Sequence, residues 1–406
     1  MMDYKRIIDY AEVFSGYAFS SEDLKEIGIP VIKIGNIQNG VVLKECENCY
    51  CKEISQKLKK YLLQDDDFLI AMTGAGSVGK AGKMQDKNQQ FLVNQRVAIV
   101  RNNDNANPYF LFCFFRLSYI EKYLYSLGIG AGQPNISAKD IYKTKVAFPC
   151  LFLQDRIAAI FSKYDSLIEL NNKRIKVLEQ MAEELYKEWF VRFRFPGHES
   201  VEFENGIPKG WDYKRIGNLA EVKSGYAFKS EWWTDEGIPV IKIKDIISNT
   251  IDLTDLSKVS SEHAEKAKQF YVSAGDLLIA LTGATIGKIA IVPYTEKTTV
   301  NQRVGKFFLK GIPWQSVAFL FCFFLQDKVQ EEIFAIAGSN AAQPNISPFD
   351  VEKIKTYYSD EIVKLFNNKL SSLIHKILIL RKQNENLTNQ RDLLLPRLMS
   401  GKLEVN

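Results

Sequence analysis

The chain has 406 residues, of which 46% are hydrophobic and 25% are charged, a composition typical of globular proteins with buried cores. No apolar run reaches the ~18 residues that a transmembrane helix needs, and the residues after Met1 lack the apolar core of a signal peptide. Six scattered cysteines argue against a disulfide scaffold and predict a reducing, cytoplasmic location, while the net charge of +5 weakly favours an anionic partner.

The sequence repeats itself once. Asp3–Ile7 returns as Asp212–Ile216, a shift of 209 residues. A period this long indicates a duplicated domain, because solenoid repeats span roughly 20–50 residues. Further shared blocks are Ser15–Phe19 with Ser224–Phe228, Gly28–Ile34 with Gly237–Ile243, Leu69–Ala75 with Leu278–Ala284, Val93–Val97 with Val300–Val304, Phe110–Phe115 with Phe319–Phe324, and Gln133–Ser137 with Gln343–Ser347.

Each copy predicts one globular domain, at residues 1–150 and 211–358. Short β-branched runs such as Val31–Ile34 and Val97–Val100 predict strands. The Phe-rich block at Phe110–Phe115 predicts a buried helix. The fold class is therefore α/β (α+β) with a two-fold internal repeat.

A long helix is predicted after each globule, at residues 151–195 and 359–406, with a Pro/Gly-bearing linker at 196–210. Apolar residues at heptad spacing predict that the two helices pair as a coiled coil, with a polar residue in the second seam to fix the register. The alternative is that each helix packs on its own globule. The seam positions are Ile157, Tyr164, Leu167, Leu178 and Leu185 in the first helix, and Phe366, Leu373, Leu380, Asn384 and Leu387 in the second.

Comparison of the two copies argues against several enzymatic and metal sites. The loop Gly74–Lys80 fits part of a phosphate-binding P-loop, but Ala81 replaces the magnesium ligand and the second copy is one residue shorter. A zinc site at Cys46–Cys51 lacks a fourth ligand and is absent from the second copy. Asn107–Phe110 only faintly matches an amino-methyltransferase motif. The chain is therefore expected to hold no metal and to bind rather than catalyse.

Polar residues shared by both copies are candidate contacts to nucleic acid. Amides and arginine at Asn94–Arg96 and Asn301–Arg303 suit base edges and phosphates, and the Thr-Gly…Gly-Lys loops offer amides and a lysine to an oxyanion. The structural alternative is that amides hold turns and aromatics fill the core. Base-reading residues should lie where the copies differ, at Gln38–Gln64 against Ile247–Gln269 and Ala81–Phe91 against Ile289–Thr298. The candidates are Tyr17, Lys33, Lys57, Lys59, Lys60, Thr73, Ser77, Lys80, Asn94, Gln95, Arg96, Gln133, Asn135, Tyr226, Lys242, Lys244, Lys266, Lys268, Thr282, Thr285, Lys288, Asn301, Gln302, Arg303, Gln343 and Asn345.

In this order and twice over, the shared blocks resemble the specificity subunit of type I restriction–modification systems, across nearly the whole chain. The junctions Leu185–Val191 and Leu395–Lys402 also match, whereas the lead-in at Pro208–Trp211 is missing from the first copy. The resemblance implies two target-recognition domains, each for one half of a split double-stranded DNA site, and an antiparallel coiled coil as spacer and assembly platform. Two modification subunits would supply S-adenosylmethionine and adenine methylation. Restriction subunits would supply the ATP- and Mg²⁺-dependent steps, so that no cofactor binds this chain and no membrane is involved.

Two other functions stay open at this point. One is an orphan or decoy DNA-binding protein without partner enzymes. The other is a coiled-coil scaffold that binds only proteins.

Overall fold

The computed structural model describes residues 5–38, 40–84, 89–129, 133–247, 249–338, 344–400 and 403. The chain divides into two compact units. The first combines Met1–Leu167 with Leu387–Asn406, and the second is Ile168–Asn386. None of the described helices is long and apolar enough to cross a membrane.

The first globule contains a six-stranded and a four-stranded sheet, as the β-branched runs predict. Most neighbours are antiparallel, but two pairs are parallel, Gly40–Val42 with Ala81–Lys83 and Leu92–Val93 with Ile29–Ile32. In spatial order the six strands are Ala11–Ser15, Val97–Asn102, Phe68–Ala71, Ala81–Lys83, Gly40–Val42 and Ile37–Gln38. The four strands are Leu92–Val93, Ile29–Ile32, Cys49–Tyr50 and Leu24–Lys25, and a separate pair joins Lys5–Arg6 to Lys145–Val146.

The second globule has the same two sheets with corresponding strands in the same order. Its six strands are Glu221–Ser224, Val304–Phe308, Leu277–Ala280, Ile289–Ile291, Thr250–Ile251 and Ile246–Ile247. Its four strands are Thr299–Val300, Ile238–Ile241, Ser257–Val259 and Trp233–Thr234. Two strand pairs complete it, Asp212–Arg215 with Lys355–Tyr358 and Phe203–Glu204 with Ile207–Pro208, the latter inside the predicted linker.

Short helices pack on these sheets. The Phe-rich block forms the predicted buried helix, Pro108–Phe115. In its first turn the backbone N–H groups of Tyr109 and Phe110, which have no partner within the helix, both donate to Asn107 Oδ1 at 2.9 Å. Asn107 and Pro108 are therefore a helix cap and a first-turn proline. The other helices are Ser118–Leu127, Ala138–Tyr142, Ser261–Glu265, Pro313–Ser316, Ala318–Phe324, Asp327–Ile336 and Pro348–Lys353.

The two long helices span Leu151–Tyr186, extended by a π-helical turn at Lys187–Val191, and Asp360–Met399. In the second unit Ile175 packs with Ile377 and Leu380. In the first unit the start of one helix, at Ile157 and Phe161, shares a core with the end of the other, at Leu395 and Leu398. Early residues of one helix thus meet late residues of the other, which confirms an antiparallel coiled coil.

Most predicted seam residues face the partner helix or a core, but Leu167 does not. It is 49% exposed, because the 3-4 steps of the seam pass through Tyr164, Ile168 and Asn171 instead. Asn171 is 5% exposed and occupies an interior position, although the heptad pattern does not predict an amide there. Buried or half-buried seam positions are Ile157, Tyr164, Leu178, Leu185, Phe366, Leu373, Leu380, Asn384 and Leu387.

The ends of the helices also enter the globular cores, so pairing and packing on a globule both occur. In the second unit the ring of Phe366 lies 5.5 Å from Trp189 and 5.1 Å from Phe190, which in turn contacts Phe319 of the globule at 4.8 Å. These contacts anchor one end of the coiled coil in the second globule.

Candidate nucleic-acid interface

A pocket of about 480 Å³ in the first globule brings together five of the predicted site residues. They come from three blocks that are far apart in the sequence. The lining residues are Ser15, Met72, Thr73, Gln95, Arg96, Gln133, Pro134, Asn135, Ile136 and Ser137.

Backbone hydrogen bonds join these blocks. The N–H of Met72 donates to the carbonyl of Arg96 at 3.0 Å, and the N–H of Ile136 donates to the carbonyl of Met72 at 2.9 Å. The N–H of Gly74 donates to the carbonyl of Pro134 at 3.2 Å. The strand end at Met72 therefore holds the other two blocks on either side of it.

The second globule repeats the same three bonds. The N–H of Leu281 donates to Arg303 at 3.0 Å, that of Ile346 to Leu281 at 2.9 Å, and that of Gly283 to Pro344 at 3.0 Å. An isolated antiparallel β-bridge joins Thr73 to Asn135 in the first globule, and an equivalent one joins Thr282 to Asn345 in the second. Gln343, the remaining candidate of this block, lies outside the described residues.

The Asn-Gln-Arg blocks divide into a structural residue and two outward residues. Asn94 Oδ1 accepts a hydrogen bond from the N–H of Arg96 at 3.2 Å, and Asn301 Oδ1 accepts from Arg303 at 3.4 Å. Each asparagine thereby closes a local turn. The side chains that follow, Gln95 and Arg96 in one copy and Gln302 and Arg303 in the other, are exposed. Within the described part of the chain neither arginine has a carboxylate partner.

A glycine lets another strand approach this turn. A Cβ on Gly16 would lie 2.3 Å from the carbonyl oxygen of Val93, and one on Gly225 would lie 2.3 Å from that of Val300. The next residue in each copy, Tyr17 or Tyr226, accepts from the N–H of Gln95 at 2.9 Å or Gln302 at 3.0 Å. The shared Ser-Gly-Tyr block therefore holds the backbone of the turn that carries the Gln-Arg pair.

The Thr-Gly…Gly-Lys loop is less open to an oxyanion than its sequence suggests. In the first copy the N–H groups of Ser77, Val78, Gly79 and Lys80 all donate to carbonyls of Ala71, Gly74 or Ser77. Gly79 has a positive φ of 86°, and a Cβ there would lie 2.9 Å from the carbonyl oxygen of Glu121. The glycine is thus required by the turn and by a neighbouring helix.

The side chains of this loop, unlike its backbone N–H groups, remain candidates for contact with DNA. Ser77 and Lys80 are half-buried and Lys288 is exposed. The buried hydroxyls of Thr73, Thr282 and Thr285 have no hydrogen-bond partner among the described residues. An unpaired buried hydroxyl is costly unless a water or a ligand satisfies it.

The predicted lysines fall into two groups. Lys33 and Lys242 are half-buried and donate to Asn48 and to Ser257 Oγ respectively, and burial, with a smaller effect from the nearby Lys244, lowers the pKa of Lys242. Both ammonium groups are therefore hydrogen-bonded within their own globules and are less available to DNA than the sequence predicts. Besides Lys288, the predicted lysines that are exposed are Lys57, Lys59, Lys60, Lys244, Lys266 and Lys268. Among them Lys60 pairs with Glu12 at 2.8 Å and Lys266 lies 3.8 Å from Glu262.

Aromatic rings lie beside the lysines of the divergent stretches. Tyr17 contacts Tyr61 at 5.4 Å and lies 5.8 Å from Lys57 Nζ. In the second copy Trp232 stacks on His263 at 4.3 Å. Neither Trp232 nor His263 was predicted as a site residue, although both lie in or beside segments that differ between the copies.

The cysteine cluster does not form a metal centre in the part of the chain that the structure describes. No group of His, Cys, Asp or Glu side chains there could hold a metal ion. Burial raises the pKa of Cys46 to about 11, which keeps the thiol protonated.

Comparison with known proteins gives this geometry a family. A model of the family described as the Type I restriction modification DNA specificity domain matches residues 2–180 and again 208–389, most of both halves. The chain belongs to the specificity subunits of type I restriction–modification systems. The two globules are its target-recognition domains, and the long helices are its coiled coil.

Relatives of this specificity subunit cover nearly its full length. The MjaVIII specificity subunit of Methanocaldococcus jannaschii is 26% identical over 354 residues, 86% of this chain and 81% of the relative. The HindI specificity subunit of Haemophilus influenzae is 24% identical over 446 residues, 92% of this chain and 94% of the relative. The fold matches the crystal structure of a type I S subunit from M. genitalium, with a TM-score of 0.54, 16% identity, and coverage of 100% and 96%.

Proposed function

We propose that each target-recognition domain binds one half of a bipartite double-stranded DNA site, and that neither domain is catalytic. The observation that carries this proposal is the repetition of one polar arrangement, the same backbone bonds holding an exposed Gln-Arg pair, in two domains whose neighbouring surfaces differ. Glutamine suits adenine and arginine suits guanine or phosphate. The shared pair would set the approach to DNA, and the divergent surfaces would set the sequence.

The exposed lysines supply the charge for phosphate contacts. Lys57 Nζ lies 5.8 Å from the ring of Tyr17 in the first domain, and Lys266 Nζ lies 4.9 Å from that of Trp232 in the second. Lys59 and Lys268 are exposed nearby in the sequence. Lysine contacts to phosphate release counterions and make binding strongly dependent on salt. They position the protein without distinguishing bases.

The coiled coil would hold the two half-sites at a fixed gap and bind the modification subunits. Apolar side chains on the outer face of the first helix support the second role. Leu170, Val177 and Met181 are 43%, 52% and 56% exposed and follow one another on one helical face at steps of seven and four residues. Because the chain contains two similar halves, two modification subunits would bind. They would carry S-adenosylmethionine, and restriction subunits would carry ATP and Mg²⁺, all in the cytoplasm.

Single-molecule methylome sequencing of the host tests the proposal. Deletion of the gene should abolish methylation of one split adenine motif, and a plasmid copy should restore it. An unchanged methylome in a host whose modification genes are expressed would contradict the proposed function.

A further inference from the structure

The second target-recognition domain contains an aromatic stack that the first domain lacks. The rings of Trp232 and His263 are nearly parallel, at an interplanar angle of 11° and a centroid distance of 4.3 Å. Residues 1–150 contain neither tryptophan nor histidine. The stack therefore distinguishes the two domains at a position where they otherwise share their architecture.

The imidazole of His263 is fixed on two sides. Trp232 covers one face, and Ser260 Oγ lies 2.9 Å from Nδ1. The same hydroxyl accepts the backbone N–H of His263 at 3.3 Å, as the cap of the helix Ser261–Glu265. In the tautomer whose Nδ1 accepts the hydroxyl proton of Ser260, the ring hydrogen lies on Nε2, and the hydroxyl can still accept the backbone N–H with a lone pair. Nε2 has no partner among the described residues.

The stack adjoins the shared Gln-Arg pair. The ring of Tyr226 is nearly parallel to that of Trp232, at 17° and 6.3 Å, and the carbonyl of Tyr226 accepts from the N–H of Gln302 at 3.0 Å. Two lysines lie beside it, since Lys266 Nζ and Lys229 Nζ are 4.9 and 5.5 Å from the indole, although Lys266 also lies 3.8 Å from Glu262. A fixed donor, an aromatic support and two cations together suit an edge of a DNA base beside its phosphates.

We propose that His263 determines specificity for the second half-site by donating a hydrogen bond from Nε2 to an acceptor on a base edge. Trp232 and Ser260 are positioning residues that hold the ring. The proposal rests on the proposed function, because it presumes that the second domain binds DNA. A donor in the major groove selects purine N7, guanine O6 or thymine O4.

The test is the methylome of a host whose deleted gene is replaced by H263A, by the wild type, or by a control variant, H198A. His198 lies in the 196–210 segment, outside both recognition surfaces. The wild type and H198A should methylate the same motif. H263A should relax the motif at one or two positions of the second half only, with roughly 10-fold or greater loss of discrimination there, and S260A should relax the same positions less.

The outcomes distinguish the role of His263 from the proposed function of the whole subunit. An unchanged motif with H263A overturns the role of His263 and leaves the proposed function standing, whereas no motif with the wild type overturns the proposed function itself. If H263A abolishes all methylation, H263F decides, because phenylalanine can keep the stack on Trp232 but has no side-chain donor. Methylation of a motif altered in its second half supports the role, and methylation of the unaltered motif, with a lowered Tm for H263A, contradicts it.

Discussion

At the scale of single residues, the exposed glutamines provide a matched pair. Gln95 and Gln302 occupy equivalent turns, and their backbone N–H groups make equivalent bonds to Tyr17 and Tyr226. We expect Q95A to relax or weaken recognition in one half of the methylated motif and Q302A in the other half. A bidentate amide contact to a base contributes about 1–3 kcal/mol of discrimination.

The measurement is the motif recovered from the methylome of each variant. N94A provides the control, since Asn94 closes the turn and its loss should lower stability and occupancy without changing which bases are preferred. If both glutamine variants altered the same half of the motif, the assignment of one half-site to each domain would be wrong.

The carboxylate of Asp165, on the first long helix, pairs with side chains from the globule and from the second long helix. Arg116 and Arg391 each lie 2.6 Å away, and Tyr109 also donates to it. Burial alone would raise the pKa of Asp165, but the two guanidinium groups hold it below its ordinary value. A carboxyl whose pKa is lowered by folding stabilises the native state above its unfolded pKa, and this contribution disappears as the pH falls through the native pKa.

We therefore expect D165N to lower the free energy of unfolding at pH 7 by about 2 kcal/mol, less than for a fully buried pair because Asp165 is partly exposed. Urea unfolding of both proteins should show this difference shrinking as the pH falls below about 4, near the ordinary carboxyl pKa. D392N is the control, since Asp392 bonds to the same arginine but is 57% exposed. Equal effects of D165N and D392N, or a difference independent of pH, would contradict the role of burial.

At the scale of elements, an asparagine cluster joins the two long helices, and we expect it to help fix their register. Asn171 donates to Asn384 Oδ1 at 2.9 Å, and Asn384 donates to Asn172 Oδ1 at 2.8 Å. A nearby ion pair, Arg381 with Glu179 at 2.6 Å, adds a second specific contact. Polar residues in a seam fix register at a cost in stability.

N384L should destabilise the protein by about 1–3 kcal/mol, because the buried amide of Asn171 loses its acceptor. The double variant N171L/N384L should regain wild-type stability or exceed it, since no buried polar group is left unpaired. Denaturant midpoints measure both effects, with N172L as an exposed control. A stabilised N384L single variant would contradict the dependence of the buried Asn171 amide on Asn384 as its acceptor.

The sequence was informative where a feature is local or periodic. The duplicated blocks predicted two similar globules, and the heptads predicted the coiled coil and Asn384 within it. The prediction of Leu167 as a seam residue is wrong because Leu167 and the neighbouring Ile168 fit a heptad almost equally well. The sequence does not predict Asn171 in the seam because a single amide is typical of a surface position. Only the position of the partner helix distinguishes these cases.

The pocket shows the same limit for the candidate site. Thr73, Gln95 and Asn135 are candidates because both copies keep them, but their convergence depends on backbone hydrogen bonds between segments far apart in the chain. Conversely, Lys33 and Lys242 had the same sequence signal as the exposed lysines and are engaged by Asn48 and Ser257. Residue type predicts the chemistry of a side chain, whereas its availability depends on long-range packing.

At the scale of the whole molecule, we propose that the coiled coil acts as a spacer between the two recognition domains. The facing segments near Asn172 and Lys382 offer a place to lengthen that spacer without disturbing either polar cluster. Seven residues inserted after Asn172 and seven after Lys382 preserve the heptad phase in both helices. They leave Asn171, Asn172 and Asn384 on one side of the insertions, and Glu179 and Arg381 on the other.

The motif methylated by this doubly lengthened subunit tests the central claim most directly. Seven residues add about 10 Å of helix, which corresponds to roughly three base pairs at 3.4 Å each. Insertion in the first helix alone is the control, since it shifts the register and should abolish methylation. We predict that the double insertion leaves both half-sites unchanged and lengthens the gap between them by about three base pairs; methylation of the original motif with its original gap would contradict the account.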